Sequence, residues 1–311
     1  MVDTSKTGDI LFERMSRLRL RNKIFRSIRD FFYNEDFLEI ETPYIIPSPA
    51  PELNIDAIHA DKNKYLHTSP ELCMKRLLAN GYLKIFQISK CFRAGERGHR
   101  HLPEFTMLEW YKAYGDYYSL MDDCEHLFSK IAMDINGSLY IDYNGLKLHL
   151  TTPWERLTVR EAFKKYAGIT CESAIKEDSF DKVLVEKIEP NLGIPRPTFL
   201  YDYPSVLSSL ARLKPNSDVA ERVELYIGGV ELANGFSELT DSIEQRDRFE
   251  KELSQRGSLG KDLYSIPEKF LKDIENMPES AGIALGLDRL VMLFTGAERI
   301  DDVVSFTPEE L

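Results

Sequence analysis

The sequence lacks several features that would each define a class of protein. No run of apolar residues approaches the length of a membrane span, and the N-terminal stretch "MVDTSKTGDILFERMSRLRLR" has no apolar signal core. The 4 cysteines, Cys73, Cys91, Cys124 and Cys171, have neither the CxxC nor the Cys/His spacing of a metal site. We therefore expect a cytoplasmic protein with reduced thiols and no membrane association.

An excess of basic residues is also absent. Lysine and arginine total 40 against 51 for aspartate and glutamate, which gives a formal net charge of −11. Binding nucleic acid mainly through broad electrostatic attraction needs a basic face, so this balance argues against it. Hydrophobic residues at 43% and charged residues at 29% are ordinary for a globular enzyme, and 311 residues suffice for one large domain.

Apolar spacing and turn residues predict strands that pair through turns, with helices between them. An apolar stripe over residues 18–32 predicts a helix, and "SPELCMKRLLANG" predicts another from Ser69 to Gly81. The stretches "LKIFQISKCFR" and "EFTMLEWYKAY" predict strands, and "AGIALGLDRLVMLFTG" predicts a strand leading into a helix. The expected fold is α/β (α+β), an antiparallel sheet flanked by helices. Residues 1–311 would form a single domain with a helical insertion at about 151–200.

A basic loop connects the first two of these strands. "FRAGERGHRH", residues 92–101, holds three arginines and two histidines in ten residues. A guanidinium binds phosphate or carboxylate in a fixed fork, so Arg93 at the strand end is the best candidate for an anion ligand. Arg97, Arg100 and His101 are candidates for more distant phosphates. The alternative is a solvated, charged hairpin tip.

A second candidate site is a hairpin that carries two glutamates. In "VELYIGGVELANGF", Glu224 and Glu231 are separated by a Gly-Gly turn, so we expect them to converge on adjacent strands. Two carboxylates suit Mg²⁺ that also ligates substrate phosphates. The alternative is a pair of exposed glutamates.

A third candidate is the glycine-containing stretch "GIALGLDRL". Gly282 and Gly286 permit close backbone approach to a ligand, and Arg289 follows at the start of a helix. That arginine would bind a phosphate or stack on an aromatic base, with Phe105 as the opposite wall. A tightly packed glycine strand is the alternative.

Acidic residues recur near these strands. Glu71, Glu109 and Glu238 occur with Tyr111 and Asn234 close by in the sequence. Several carboxylates in one cleft are costly without a cation, and a substrate with two ammonium groups would supply that charge. The alternative is a set of separate surface glutamates.

Together these segments resemble the catalytic domain of class II aminoacyl-tRNA synthetases of the lysyl type. "FLEIETPYI" resembles motif 1, "FRAGERGHRHLPEFTMLEWY" motif 2 and "GIALGLDRLVM" motif 3, while "TSPELCMKRL" and "ELANGFSELTD" match lysine-binding segments. Motif 1 begins near Ile24, which leaves no room before it for an anticodon-binding domain. A catalytic domain of this length resembles the elongation factor P (R)-β-lysine ligase family, which activates (R)-β-lysine as an adenylate and transfers it to a lysine side chain.

The resemblance implies a role for each matching residue. Arg93 and Arg289 would be catalytic. The residues implied for ATP are Arg93, Glu96, Arg100, His101, Phe105, Glu231 and Arg289, with Phe105 and Arg289 on either side of adenine. Glu224 and Glu231 would hold Mg²⁺. For the amino acid, Glu109, Tyr111 and Glu238 would take the side-chain ammonium group, Glu71 the other amino group and Asn234 the carboxylate, with Ala284 on the pocket floor. Ala284 stands where lysyl-tRNA synthetases have glycine, which suggests that its methyl group favours β-lysine over α-lysine.

The loop departs from the family pattern at two positions, and two other functions remain open. Gly95 replaces the usual glutamate two residues after Arg93, and Leu102 replaces the asparagine that follows the motif 2 histidine. The implied cofactors are ATP and Mg²⁺, the implied acceptor is elongation factor P, and the implied assembly is a homodimer, with no tRNA partner expected. The alternatives are a lysyl-type activator with another acceptor and a non-catalytic synthetase-like module.

Overall fold

The computed structural model describes residues 4–311, with side chains from residue 12 onward. Residues 1–3 of the N-terminal stretch considered above lie outside it. The helices are α1 (Thr4–Asn34), α2 (Glu71–Ala79), α3 (Tyr117–Asn136), α4 (Val159–Ala162), α5 (Cys171–Lys176), α6 (Phe180–Val183), α7 (Ser242–Ser258), α8 (Glu268–Ile274) and α9 (Leu287–Thr295). No helix among these residues combines the length and the apolar character that crossing a membrane requires.

The strands form one large sheet and two small ones. They are β1 (Leu38–Glu39), β2 (Ile45–Ile46), β3 (His59–Asp61), β4 (Lys64–Leu66), β5 (Lys84–Phe92), β6 (Glu104–Ala113), β7 (Tyr140–Tyr143), β8 (Leu146–His149), β9 (Glu155–Thr158), β10 (Thr198–Pro204), β11 (Val219–Ile227), β12 (Val230–Ser237) and β13 (Ser280–Gly286). The 8-stranded sheet has the order β1-β5-β6-β13-β12-β11-β10-β9. Only its two outermost pairs, β1 with β5 and β9 with β10, are parallel, so the predicted antiparallel sheet is confirmed.

Alternation along the central strands separates the core from the other face of the sheet. Trp110 of β6 is fully buried in the main core, together with Phe32 of α1, Phe128 of α3 and Leu290 of α9. Because successive side chains of a strand point to opposite faces, Glu109 and Tyr111 lie on the face away from these three helices. That face carries the polar residues considered below.

The segment 151–200 contains strands that the sequence analysis did not predict. β9 and the start of β10 extend the large sheet, although a proline-rich stretch precedes β10. The helical turns between them have a core of their own, in which the Phe163 and Phe180 rings stack at 4.7 Å. Their C-terminal end is fixed to the β11–β12 turn, because the Gly229 amide donates to the Leu192 carbonyl at 2.9 Å.

A loop between β2 and β3, residues 50–57, is held in place by one buried arginine. Arg256 of α7 is 0% exposed. Its guanidinium donates to the Glu52 carbonyl at 2.7 Å, the Ile55 carbonyl at 3.0 Å and the Asp56 carboxylate at 2.7 Å. A guanidinium offers five donors in a fixed fork, so this side chain satisfies several loop acceptors at once. The loop is therefore fixed against α7.

Replacing this arginine tests that arrangement. We expect Arg256→Met to lower the free energy of unfolding by about 3 kcal/mol, because the buried loop acceptors lose their donor. Urea unfolding followed by circular dichroism measures the change. Arg246→Met is the matched control on the same helix, since Arg246 forms only an exposed pair with Glu268 and its loss should matter little. Equal stability of the two variants would contradict the proposed role of Arg256.

Candidate active site

A cavity of about 520 Å³ opens on the polar face of the large sheet. Thirteen of the fourteen residues to which the resemblance assigns a role line it: Glu71, Arg93, Glu96, Arg100, His101, Phe105, Glu109, Tyr111, Glu224, Glu231, Asn234, Ala284 and Arg289. Residues from the two strands beside the basic loop, the Glu224 hairpin and the glycine strand therefore share one cleft. Glu238 does not line it.

Strand register explains why residues so distant in sequence meet. Glu109 of β6 pairs with Ala284 of β13, Ala284 pairs with Asn234 of β12, and Asn234 pairs with Glu224 of β11. Cross-strand partners lie side by side on one face of a sheet, so these four form a row across the cavity floor. The next row contains Gly282, where an added Cβ would lie 2.1 Å from the Tyr111 ring. Glycine at 282 thus leaves space for that ring.

One end of the cavity is acidic and holds an internal ammonium group. The Lys75 ammonium of α2 is 2.5 Å from the Glu71 carboxylate and 2.5 Å from that of Glu238. Both Lys75 and Glu238 are 0% exposed. Glu238 therefore lies beneath the cavity wall, where its carboxylate contacts Lys75, and it does not line the cavity as the role implied by the resemblance requires.

Glu109 reaches the cavity at this end and is held by two donors. Its carboxylate accepts hydrogen bonds from Ser69 at 2.6 Å and from the Tyr111 hydroxyl at 2.8 Å. Desolvation by burial, followed by the neighbouring Glu71 charge, raises the pKa of Glu109 to about 7. Burial also raises the pKa of Glu238 to about 8. Carboxyl groups with such raised pKa values indicate a site that gains stability when a cation enters.

The other end of the cavity is basic and is built by the loop after β5. The Arg93 guanidinium lies over the Phe105 ring at 5.1 Å and is 3.7 Å from the Glu96 carboxylate. Arg100 donates to the Gly229 carbonyl at 3.0 Å, which joins this loop to the β11–β12 turn. Arg97, which the sequence analysis also considered, is ion-paired with Glu309 at 2.8 Å and is not part of the cavity lining.

Arg289 connects the basic loop to the hairpin. It donates to the Glu231 carbonyl at 2.9 Å and lies 2.7 Å from His101 Nε2. Burial, together with the Arg289 charge, lowers the pKa of His101. The neutral imidazole can then accept a hydrogen bond from the Arg289 guanidinium at Nε2. Phe105 and Arg289 both line the cavity, as the predicted adenine site requires. The guanidinium that lies over the Phe105 ring, however, belongs to Arg93.

The two departures from the family pattern lie in this loop. Gly95 has φ +75°, and an added Cβ there would have no atom within 4 Å. A side chain at this position would thus have space, but the positive φ favours glycine. Leu102 is buried and lines the cavity, so it replaces the amide of an asparagine with an apolar wall.

The carboxylates expected to hold magnesium lie at the hairpin. Glu224 accepts hydrogen bonds from Arg222 at 2.6 Å, from Tyr226 at 2.8 Å and from Tyr203. It is not paired directly with Glu231, because Tyr226 occupies that register position beside an irregularity in the ladder. In the part of the chain described, no three His, Cys, Asp or Glu side chains form a metal-binding group. Two carboxylates nevertheless fit Mg²⁺, which takes its remaining ligands from phosphates and water.

Four side chains with clear roles in the site were missed by the sequence analysis. They are Lys75, Tyr203, Arg222 and Tyr226. The sequence carries a signal for three of them, since Lys75 follows Glu71 by four helical positions, and Arg222 and Tyr226 each lie two strand positions from Glu224. Tyr203 gives no local signal, because its contact with Glu224 forms only when β10 pairs with β11 in the sheet.

Comparison with known proteins agrees with this geometry. The family model for class II tRNA synthetases (D, K and N) matches residues 10–310. A lysine–tRNA ligase from Moorella thermoacetica is 39% identical, over 92% of this chain and 64% of that protein, and one from Histophilus somni is 37% identical over 92% and 63%. The chain thus spans less than two thirds of the length of these relatives.

An elongation factor P–(R)-β-lysine ligase from Proteus mirabilis matches over almost its full length. It is 38% identical over 94% of this chain and 95% of that protein. The resemblance drawn from the five sequence segments is therefore confirmed. The chain belongs to the class II tRNA synthetases of the D, K and N group.

Proposed function

We propose that this protein is an ATP-dependent ligase that activates (R)-β-lysine as its adenylate and transfers it to a lysine side chain of elongation factor P. The observation that carries the proposal is a single cavity with a basic end at Arg93, Arg100 and Arg289 and an acidic end at Glu71 and Glu109. A nucleoside triphosphate suits the basic end, and an amino acid with an additional ammonium group suits the acidic end. The end-to-end match with the Proteus mirabilis ligase supports this choice.

In the first reaction the amino-acid carboxylate attacks the α-phosphorus of ATP, and pyrophosphate leaves. Arg93 lines the basic end of the cavity, where its guanidinium would bind both the carboxylate and an α-phosphate oxygen. Arg289 and the Phe105 ring would hold adenine. Bound through Glu224 and Glu231, Mg²⁺ would neutralise phosphate charge.

In the second reaction the amine of the acceptor lysine attacks the carbonyl carbon of the mixed anhydride. The new amide bond forms as the bond to the phosphate oxygen breaks, and AMP leaves. No covalent bond to the enzyme is needed, so rate enhancement depends on positioning and on charge stabilisation. The proposal includes a cytoplasmic location, expected from the sequence, and a homodimer, carried over from the family resemblance.

A second candidate is activation of L-lysine for another acceptor. The lysine–tRNA ligases are as similar to this chain as the elongation factor P ligase, at 37–39% identity. The row across the cavity floor contains Ala284, whose methyl group we expect to separate the two amino acids. The choice of amino acid therefore distinguishes the two functions.

Amino-acid-dependent exchange between ATP and pyrophosphate tests the proposal. With Mg²⁺ present, we expect faster exchange with (R)-β-lysine than with (S)-β-lysine or L-lysine. Arg93→Met should lower kcat by about 100-fold or more, since a donor that stabilises the transition state is lost. Arg97→Met, from the same loop but outside the cavity, is the matched control. Exchange with L-lysine alone would favour the second candidate, and no exchange would contradict both.

The methyl group of Ala284 should influence which lysine isomer is used. We expect Ala284→Gly to shift the ratio of kcat/KM for (R)-β-lysine over L-lysine toward L-lysine by about 10-fold, the typical effect of one methyl group in a pocket. The same exchange assay measures both substrates. Ala281→Gly is the control, because Ala281 lies on the same strand and its side chain points to the main core on the other face of the sheet. An unchanged ratio would mean that Ala284 only packs.

The Lys75 ammonium group should matter more to stability at high pH than at low pH. Glu238, with its pKa of about 8, is protonated in the folded protein at pH 5 and ionised at pH 9. Lys75 therefore compensates a negative charge on Glu238 mainly at pH 9. We therefore expect the loss of unfolding free energy in Lys75→Met to be larger at pH 9 than at pH 5, by urea denaturation. Lys130→Met, which removes an exposed pair with Asp134, should give equal losses. Equal losses at pH 5 and pH 9 for Lys75→Met would refute the proposed compensation of Glu238 by Lys75.

A further inference from the structure

The two tyrosines that contact Glu224 belong to the hydrophobic core of the helical insertion. Tyr203 and Tyr226 are buried, and they lie in one cluster with Ile188 and Leu192 of the insertion. Their hydroxyl groups donate to the same carboxylate oxygen of Glu224, Tyr226 at 2.8 Å. The packing of the insertion therefore determines where two of the hydrogen-bond donors to this carboxylate lie.

The Tyr226 hydroxyl has a second acceptor, which the insertion supplies. Glu189 Oε1 lies 3.3 Å from the hydroxyl oxygen of Tyr226. A hydroxyl carries a single hydrogen, so the shorter contact, to Glu224, is the stronger of the two. Among the residues that the structure describes, the Glu189 carboxylate makes no other hydrogen bond and no ion pair. It is therefore free to accept the hydroxyl if Glu224 gives it up.

Backbone contacts fix Glu189 beside the hairpin that carries both carboxylates of the expected metal site. The Gly228 amide donates to the Gly193 carbonyl and the Gly229 amide to the Leu192 carbonyl, both at 2.9 Å. The Leu192 amide in turn donates to the Glu189 carbonyl at 3.0 Å. The end of the insertion and the β11–β12 turn are thus joined directly, so Glu189 reaches Tyr226 from a defined position.

The hydrogen bonds of Glu224 restrict access of a cation to its carboxylate. Arg222 donates to Oε1 at 2.6 Å, and both tyrosine hydroxyls donate to Oε2. An ionised carboxylate has about four lone-pair positions, two on each oxygen, so the positions on Oε2 are filled. A cation that binds this oxygen must displace a hydroxyl. Loss of its acceptor is costly for a buried hydroxyl unless another acceptor lies within reach.

We propose that Glu189 is a positioning residue for the metal site, because it accepts the Tyr226 hydroxyl when a divalent cation binds Glu224. The proposal rests on the proposed function, in which Glu224 and Glu231 hold Mg²⁺. Glu189 does not itself contact the ion in this role. It frees one position on Glu224 while the buried hydroxyl stays hydrogen-bonded, so the helical insertion sets the affinity of the site for the metal.

Metal binding to the nucleotide-free protein tests this role without requiring turnover. Mn²⁺ is the probe, since the electron paramagnetic resonance signal of free aqueous Mn²⁺ measures the unbound fraction. We expect Glu189→Met to weaken Mn²⁺ binding about 10-fold, the lower end of the usual effect of residues that orient metal ligands. Glu189→Gln, whose amide oxygen can still accept the Tyr226 hydroxyl, should stay within about 3-fold of wild type.

A double-mutant cycle shows whether Glu189 acts through Tyr226. In a Tyr226→Phe background the hydroxyl is absent, so Glu189→Met should change Mn²⁺ affinity by less than about 2-fold. Glu186→Met is the matched control for charge, because Glu186 is an exposed glutamate of the same insertion, and it should leave the affinity unchanged. If Glu189→Met does not fold, Glu189→Asn withdraws the acceptor in a polar side chain and should show the same loss.

The outcomes separate this proposal from the proposed function. Wild-type affinity in Glu189→Met would overturn the role of Glu189, and so would an equal loss with and without the Tyr226 hydroxyl. A loss in Glu186→Met as large as that in Glu189→Met would overturn it as well, because it would indicate a general effect of charge. Absence of Mn²⁺ binding to wild type would leave no site to position and would also overturn it. Mn²⁺ binding that depends on Glu189 in a protein without ATP–pyrophosphate exchange would support this role and contradict the ligase reaction.

Discussion

The acidic end of the cavity depends on one buried ammonium group. Lys75 is inaccessible to solvent and contacts Glu71 and Glu238, which come from α2 and from the segment after β12. Without it, two carboxylates would lie in a desolvated region with no internal cation, which is costly for an ionised carboxylate. Among the described residues Glu109 has no ion-pair partner and accepts hydrogen bonds from Ser69 and Tyr111, so in the proposed function it is free to meet a substrate ammonium group. The internal lysine thus fixes the two other carboxylates of this end, Glu71 and Glu238.

The two ends of the cavity are joined by contacts that run through the fold. Asp288, at the start of α9, accepts a hydrogen bond from the Thr106 amide at 2.7 Å. It also forms an ion pair with Arg21 of α1 at 2.5 Å. It is buried and lines the cavity. This one carboxylate fixes the helix that carries Arg289 against the strand that carries Phe105 and Glu109. Segments distant in sequence are thereby held in a single geometry, which catalysis by positioning requires.

The sequence predicted the strands and turns that build this site more completely than the contacts between their side chains. Strand alternation and the Gly228–Gly229 turn sufficed to predict the hairpin that carries Glu224 and Glu231, and 13 candidate residues do share one cavity. The partner of Glu238 was not predictable, because it depends on how α2 packs against the sheet. The strands β9 and β10 were missed because their pairing is non-local and their sequence context is rich in proline.

The charge distribution explains how an acidic protein can bind a triphosphate. The net charge of −11 would repel a polyanion, but the basic loop confines its cations to one end of a cavity whose other end is acidic. Fixed arginines in a partly desolvated cleft act at short range, where they outweigh distant surface charges that solvent screens. In the proposed function, an amino acid with two ammonium groups would enter the acidic end with its carboxylate directed toward Arg93. The opposed charges of the two ends would then orient both substrates before any bond forms, so the charge distribution would set the order of the reacting groups along the cavity.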